Sequence, residues 1–162
     1  MALRNIVKEG DPILNKKCRP VEKFDKKLWD LIDDMVETLE DSGGVGLAAP
    51  QVGIMRRICV IDVGDGAIEF INPVIVESDG EQEVQEGCLS CPGEFGIIKR
   101  PYCVKAQFND RDGNLCEIEG EELLAQAMCH EFDHLDGILF KSKVERMLSE
   151  EELREMREDN EQ

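Results

Sequence analysis

Apolar residues recur at intervals of three and four positions in the N-terminal third of the chain. They follow Asp25, precede Ser42-Gly43-Gly44, and comprise Leu28, Leu31, Ile32, Met35, Val36 and Leu39. This spacing places them on one face of a helix of about four turns. Asp25 is a favourable N-cap residue for this helix, and Gly43 and Gly44 are favourable at its C-terminal end. The pattern therefore predicts an amphipathic helix near the N-terminus.

After the glycines, the helical period gives way to short runs rich in β-branched residues. Gly, Asp, Asn and Pro separate these runs, which span residues 58–63, 68–76, 83–89, 102–108 and 115–118. Short runs bounded by turn-forming residues are typical of strands joined in antiparallel order. The middle of the chain is therefore predicted to form antiparallel sheets.

Two further helices are predicted toward the C-terminus. The first begins near Glu121 and ends at Asp136-Gly137, and the second begins at Ser149, which forms a capping-box pattern with Glu152. The order predicts an α+β fold, with antiparallel sheets packed around the central helix and with an N-terminal and a C-terminal helix. We expect one domain over residues 1–162, in which 149–162 form an acidic helix or tail.

Charge and cysteine content narrow the function classes. The 162 residues include 19 Lys plus Arg and 36 Asp plus Glu, a net charge of −17. Such a chain repels phosphate backbones and anionic lipid, so no direct nucleic-acid or membrane partner is expected. Seven scattered cysteines and an N-terminus without an apolar signal region favour reduced thiols in the cytoplasm. At this size we expect a monomer.

The strongest chemical signal is His130-Glu131-Phe132-Asp133-His134, within the predicted central helix. Histidines four positions apart project from one helix face, so both can reach one metal ion while Glu131 points beside it toward a bound water. A pair of ordinary half-buried histidines is the alternative. That alternative is weakened because unpaired titratable groups are costly against a sheet.

A catalytic metal needs a third protein ligand, and Glu86-Gly87-Cys88-Leu89-Ser90 offers the thiolate of Cys88. Cys91 allows a competing closed Cys₂His₂ site, but its 39-position separation from His130 exceeds zinc-finger spacing. A thioredoxin-like dithiol is disfavoured because residues 92–96 predict a turn rather than a helix start. Glu86 and Arg100 could support the ligand turn or form only a surface ion pair.

Three motifs in this order resemble those of the peptide deformylases. The matching segments are Gly44 to Gln51, Glu86 to Ser90 and His130 to His134, and the likeness extends over about residues 1 to 145. The resemblance implies a metal-dependent amide hydrolase that removes the formyl group from N-terminal formylmethionine of nascent polypeptides and releases formate. Its partners would be N-formylmethionyl peptides near the ribosome.

The resemblance also implies roles for individual residues. Cys88, His130 and His134 would bind the metal, Glu131 would transfer the proton, and the Gln51 side chain with the Leu89 backbone N–H would stabilise the oxyanion. Helix periodicity places the side chains of Leu123 and Ala127 on the face of the histidines, although either could be plain core. The resemblance adds the following residues to the substrate pocket: Val45, Gly46 and Val84.

The three predicted ligands do not determine which metal ion is bound. One Cys and two His suit Zn²⁺ and also permit Fe²⁺, Co²⁺ or Ni²⁺, and the family resemblance favours Fe²⁺ in the cell. Two other functions share these residues. A general metallopeptidase would cleave unformylated peptides, and a noncatalytic structural zinc module would use four protein ligands, including Cys91.

Overall fold

A computed structural model describes residues 2–160 of the chain. The helices are α1 (Lys26–Ser42), α2 (Leu123–Leu135) and α3 (Glu150–Asn160). Short 3₁₀ turns cover Pro12–Asn15, Ala49–Val52 and Phe140–Ser142. The strands are β1 (Gly46–Ala48), β2 (Ile58–Ile61), β3 (Ile68–Asp79), β4 (Gln82–Cys88), β5 (Cys91–Arg100), β6 (Cys103–Asn109), β7 (Leu115–Glu121) and β8 (Arg146–Met147).

Helix α1 has the ends that the sequence predicts. The Asp25 side chain accepts a hydrogen bond from the Leu28 backbone N–H at 3.1 Å, which satisfies a donor of the first turn. Gly43 follows the helix with a φ of 71°, in the left-handed region that glycine adopts without steric cost. The N-terminal helix prediction is confirmed at both ends.

The strands form two antiparallel sheets. One has five strands in the order β1-β2-β3-β6-β7, and the other has three in the order β4-β5-β8. Each of the five predicted runs contains or overlaps a strand. Strands β1, β5 and β8 were not predicted from the periodicity.

The prediction of a turn over residues 92–96 is wrong, because these residues belong to strand β5. Cys88 pairs with Cys91 across the hairpin, so the turn consists of Leu89 and Ser90. Pro92 lies at the second position of β5, beside an irregularity in the pairing of β4 with β5, where a missing N–H is tolerated. Pairing with β4 therefore decides the conformation of residues 92–96, although Pro92 and Gly93 locally favour a turn.

The two C-terminal helices begin and end close to the predicted residues. Helix α2 begins at Leu123, two positions after Glu121, because Glu122 has a φ of 54° and cannot be helical. At the start of α3, the Glu152 backbone N–H donates to Ser149 Oγ at 3.2 Å, and the Ser149 N–H donates to Glu152 Oε1 at 3.1 Å. This reciprocal pair is the predicted capping box.

Helix α2 lies between the sheets and contacts strands of both. Its Phe132 packs edge-on against Phe70 of the five-stranded sheet, in a core cluster that also contains Met128. Helix α1 contributes Met35 to the neighbouring cluster, which also contains Leu47. The sheets therefore pack around the central helix, and the predicted α+β fold is confirmed.

None of the described helices combines the length and the apolar character that crossing a membrane requires.

Candidate active site

Two elements bring three potential metal ligands together. Cys88 ends strand β4, and His130 and His134 lie one turn apart on α2. Their ligand atoms lie within 4.8 Å of one another, and Cys88 Sγ is 3.4 Å from His134 Nε2. A thiolate and two imidazoles are a suitable donor set for Zn²⁺ or Fe²⁺, and three protein ligands leave a coordination position open.

A buried carboxylate orients His130. Glu86 Oε2 lies 2.7 Å from His130 Nδ1, so the carboxylate accepts the Nδ1 proton and leaves Nε2 free for a metal. Arg100 donates to both oxygens of Glu86, at 3.1 Å and 2.6 Å, and to Asp133 at 2.9 Å. Burial alone would raise the pKa of Glu86, but hydrogen bonds from His130 and Arg100 lower it to about 2.

The alternative of a surface ion pair between Glu86 and Arg100 is therefore wrong. Both side chains are only 4% exposed. Sequence reasoning found this pair but missed its contact with His130, because 44 positions separate Glu86 from that histidine. The pair supports a histidine as well as the turn that carries Cys88.

Glu131 is buried beside the ligand cluster with one free oxygen. Its Oε2 is 3.9 Å from His130 Nε2, and its Oε1 has no hydrogen-bond partner among residues 2–160. A Cβ atom at Gly46 would collide with this carboxylate, so the glycine allows the close approach of β1 to α2. Burial raises the pKa of Glu131 to about 7. A buried carboxylate oxygen without a partner, next to three metal-ligand atoms, fits a metal site that also holds water.

Gln51 presents its amide to Cys88. Its Oε1 accepts from the Ala48 backbone N–H at 2.9 Å, while Nε2 donates to Ser90 Oγ at 3.1 Å and lies 3.5 Å from Cys88 Sγ. Gln51 and Ser90 are both buried. Sequence reasoning missed Ser90 as a contact of Gln51. Leu89 lies in the β4–β5 turn, packed beside Gly44.

A cavity of about 480 Å³ opens next to these residues. Val45, Gly46, Leu123 and Ala127 line it, as do His130 and Glu131. Leu123 is 46% exposed, so the alternative that it is a core residue is wrong.

Val84 is the one predicted pocket residue outside the lining of this cavity. Strand β4 lines the cavity with its last four residues, 85–88, and Val84 lies one position before them. Sequence reasoning also missed several lining residues, among them Phe95 and Gln126. Phe95 was missed because its segment was predicted to be a turn.

Cys91 belongs to a different cluster. Its buried thiol lies 3.7 Å from Glu9 Oε2, and Lys141 joins Glu9 to Glu94 through contacts of 2.8 Å and 2.7 Å. Burial raises the pKa of Cys91 to about 12. The ligand cluster that contains both histidines has Cys88 as its thiol. The geometry thus favours three protein ligands over the closed Cys₂His₂ arrangement.

Comparisons with known proteins agree with these observations. A family model described as polypeptide deformylase matches residues 3–150. The peptide deformylase of Agathobacter rectalis is 61% identical over 148 residues, which cover 91% of this chain and 94% of the relative. That of Caldanaerobacter subterraneus subsp. tengcongensis is 55% identical over 158 residues, 98% of this chain and 99% of the relative.

Solved structures show the same fold. The crystal structure of peptide deformylase from Thermotoga maritima superposes with a TM-score of 0.86 at 43% identity, covering 88% of this chain and 97% of that one. A peptide deformylase from Legionella pneumophila gives a TM-score of 0.85 at 40% identity, covering 99% and 98%. With its motifs, its fold and these relatives in agreement, the chain belongs to the peptide deformylase family.

Proposed function

We propose that Cys88, His130 and His134 hold the metal ion with which this deformylase removes the formyl group of N-terminal formylmethionine. The observation that carries the proposal is the convergence of these ligands beside a buried Glu131 oxygen that has no partner in the described chain. When bound there, a divalent metal ion lowers the pKa of a water molecule and polarises the formyl oxygen. We further propose Fe²⁺ in the cell, while the ligand set also accepts Zn²⁺, Ni²⁺ or Co²⁺.

Glu131 is the proposed proton carrier. Its carboxylate accepts a proton from the attacking water and delivers it to the amine nitrogen as the C–N bond breaks, so that formate and a free N-terminus are released. Gly46 keeps this carboxylate close to the ligand cluster, because a larger residue there would displace it. Burial of Glu131 limits its exchange of protons with bulk water.

Gln51 and Leu89 are the proposed donors to the oxyanion. Gln51 is held by Ala48 through its Oε1, and its Nε2, which donates to Ser90, lies 3.5 Å from Cys88 Sγ, which supports a role for its second N–H beside the ligands. The Leu89 backbone N–H is in the turn directly after Cys88. Removal of one such donor costs about 2.7–4 kcal/mol of barrier.

The cavity beside the ligands is the proposed site of the methionine side chain. Val45, Leu123 and Ala127 give it an apolar wall, and strand-like backbone at Gly46 can pair with an extended substrate. Val84 is left out of this pocket because it does not line the cavity. A site sized for a formyl group would reject acetyl by steric clash.

We also propose that the enzyme works in the cytoplasm, as a monomer, on nascent chains near the ribosome. The seven cysteines are free thiols in the structure, which suits a reducing compartment. Family membership does not favour the two alternative functions, a general metallopeptidase or a noncatalytic structural zinc module.

The first experiment measures formate released from N-formyl-Met-Ala-Ser by anaerobically prepared, iron-loaded protein. We expect Glu131→Gln to lower the rate by about 10²–10⁴-fold while the metal content is retained. The matched variant Glu121→Gln changes an exposed carboxylate and should keep the wild-type rate. An N-acetyl substrate should be rejected. Full activity of Glu131→Gln would refute the proposed role.

The second experiment separates the two cysteines by metal content. Cys88→Ser should lose the metal, and Cys91→Ser should retain it and release formate. Loss of metal from Cys91→Ser, without formate release by wild type, would instead support a closed structural site. Rapid cleavage of unformylated Met-Ala-Ser would support a general peptidase.

A further inference from the structure

The negative charge of the chain is unevenly distributed. Residues 1–57 contain ten basic and ten acidic side chains, so the whole net charge of −17 arises from residues 58–162. The N-terminal third is therefore locally neutral within a strongly acidic protein. The net charge of the chain therefore overstates the negative charge of this segment.

A second cavity, of about 650 Å³, lies in this N-terminal region. Its apolar lining comes from the segment before α1, from α1 itself and from residues 54–58, and comprises Val21, Leu28, Leu31, Ile54 and Ile58. Lys23, Lys27 and Arg56 line the same cavity and are exposed. We call this the Lys23–Arg56 cavity.

These three cations are free of ion pairs with any carboxylate of residues 2–160. They are unpaired although Glu22 and Asp25 line the same cavity. Asp25 is turned to its helix, where it caps the Leu28 N–H. Unpaired positive charge around a concave space is therefore a property of this cavity.

Two neighbouring cations are already paired. Arg4, which also lines the cavity, is bound to Asp34 at 2.9 Å. Arg57, next to Arg56 in sequence, is bound to Asp136 at 3.0 Å. With acidic residues in excess, cations that remain unpaired are available to an external anion.

The start of α1 is already capped by a carboxylate. Helix α1 begins at Lys26, and Asp25 accepts from the Leu28 N–H there. The positive charge of the cavity therefore comes from its three unpaired cations, which lie beside an apolar floor that includes Val21, Leu28 and Ile58.

We propose that the Lys23–Arg56 cavity binds an anionic amphiphile, with a carboxylate or phosphate head at the three cations and a hydrocarbon body on the apolar floor. Its volume lies within the range of about 300–1,000 Å³ that is usual for small-molecule sites. The floor of Val21, Leu28 and Ile58 is buried and offers apolar contact. A nucleic-acid strand fits less well, because no aromatic side chain among residues 2–160 lines the cavity for base stacking.

The test titrates the full-length protein with dodecanoate and with dodecyl phosphate, below the concentrations at which they form micelles. Calorimetry gives the affinity. The single tryptophan, Trp29, adjoins Leu28 and supplies a fluorescence signal. Neutral dodecanol and cationic dodecyltrimethylammonium serve as ligand controls. We expect both anions to bind at least tenfold more tightly than either control, and their ratio to show which head group is preferred.

The triple variant Lys23→Gln, Lys27→Gln, Arg56→Gln should bind the anions at least tenfold more weakly. All three side chains are exposed, so the fold should be retained. A control variant changes three other exposed cations that have no ion pair within residues 2–160, by the substitutions Lys8→Gln, Arg154→Gln and Arg157→Gln. It should bind as wild type.

The comparison of the two variants separates this site from the apolar cavity beside Cys88, which neither variant alters. The proposal is overturned if the Lys23–Arg56 triple variant binds the anions as wild type does. It is also overturned if the neutral or cationic amphiphile binds equally well. Deformylation need not change in either case, so the outcome is independent of the proposed catalytic residues.

Discussion

Two arginines each bind a pair of carboxylates. One of these arginines, Arg100, is buried, and the other, Arg111, lies near the surface. Arg100 is 4% exposed and donates to Glu86 and Asp133. Arg111 is 32% exposed and contacts Glu69 at 2.8 Å and Asp33 at 2.7 Å. Both use the forked geometry in which a guanidinium matches carboxylates. They differ mainly in how much water reaches them.

The two networks serve different parts of the molecule. Arg100 reaches the ligand cluster, because the Glu86 oxygen that it binds at 2.6 Å also accepts from His130. Arg111 connects the β6–β7 hairpin to α1 and β3, and its carbonyl accepts from Trp29 Nε1 at 2.8 Å. Buried charges depend on their partners, whereas exposed charges can exchange them for water. The buried Arg100 network therefore supports the candidate active site, whereas the more exposed Arg111 network links secondary-structure elements near the surface.

The largest effect is expected from Arg100→Met. The substitution leaves Glu86 buried without its guanidinium partner, and breaking a buried pair in this way costs about 3–5 kcal/mol. Urea unfolding of the metal-loaded protein measures the loss. The double variant Arg100→Met, Glu86→Met removes both charges and should recover part of it. A loss below about 1 kcal/mol would mean that this network behaves like a surface pair.

Glu86→Gln should weaken metal binding by about 10–100-fold, because His130 loses its charged acceptor. Competition with a chelator of known affinity measures the change. Glu69→Gln makes the same substitution in the Arg111 network, and its metal affinity should equal that of wild type. Equal losses in the two variants would show that the networks are not functionally distinct.

Arg111→Met should cost about 1 kcal/mol or less, because its partners stay accessible to water. In a protein of this length, that loss corresponds to a fall in Tm of about 2–4 °C. Thermal unfolding followed by circular dichroism measures it. The rate of formate release should be unchanged at a temperature where both proteins are folded. A loss as large as that of Arg100→Met would contradict the comparison.

Salt should produce the smallest effect. Between 0.1 and 1 M NaCl the screening length falls from about 10 to 3 Å, which weakens exposed charge pairs more than buried ones. The destabilisation caused by Arg111→Met should therefore shrink in high salt, while that of Arg100→Met should change little. Urea unfolding of both variants at the two salt concentrations provides the measurement. A larger salt dependence for Arg100→Met would reverse the assignment of the two networks.

Local signals in the sequence were sufficient where a few neighbouring residues set the structure. Asp25 and Gly43 marked both ends of α1, and Ser149 with Glu152 marked the start of α3. Such caps form between residues within one turn, so they can be recognised without knowledge of the fold. The separation of His130 and His134 likewise placed both rings on one helix face.

Predictions failed where distant residues decided the outcome. Pro92 and Gly93 predicted a turn, but pairing with β4 drew them into strand β5. Strand pairing depends on a partner outside the local segment, so no short window contains that information. For the same reason Phe95, in that strand, lines the cavity although a turn was predicted there. Val84 was chosen by resemblance and lies outside the lining.

The sequence alone determined the fold class, the helix ends and the three motifs that place the chain in its family, because these depend on local spacing and residue type. Only the tertiary structure decided that Arg100 and Glu86 support His130, that Cys91 faces Glu9, and which cations remain unpaired around the second cavity. These contacts join residues far apart in the chain, and the pairing of strands and the packing of α2 between the sheets set them.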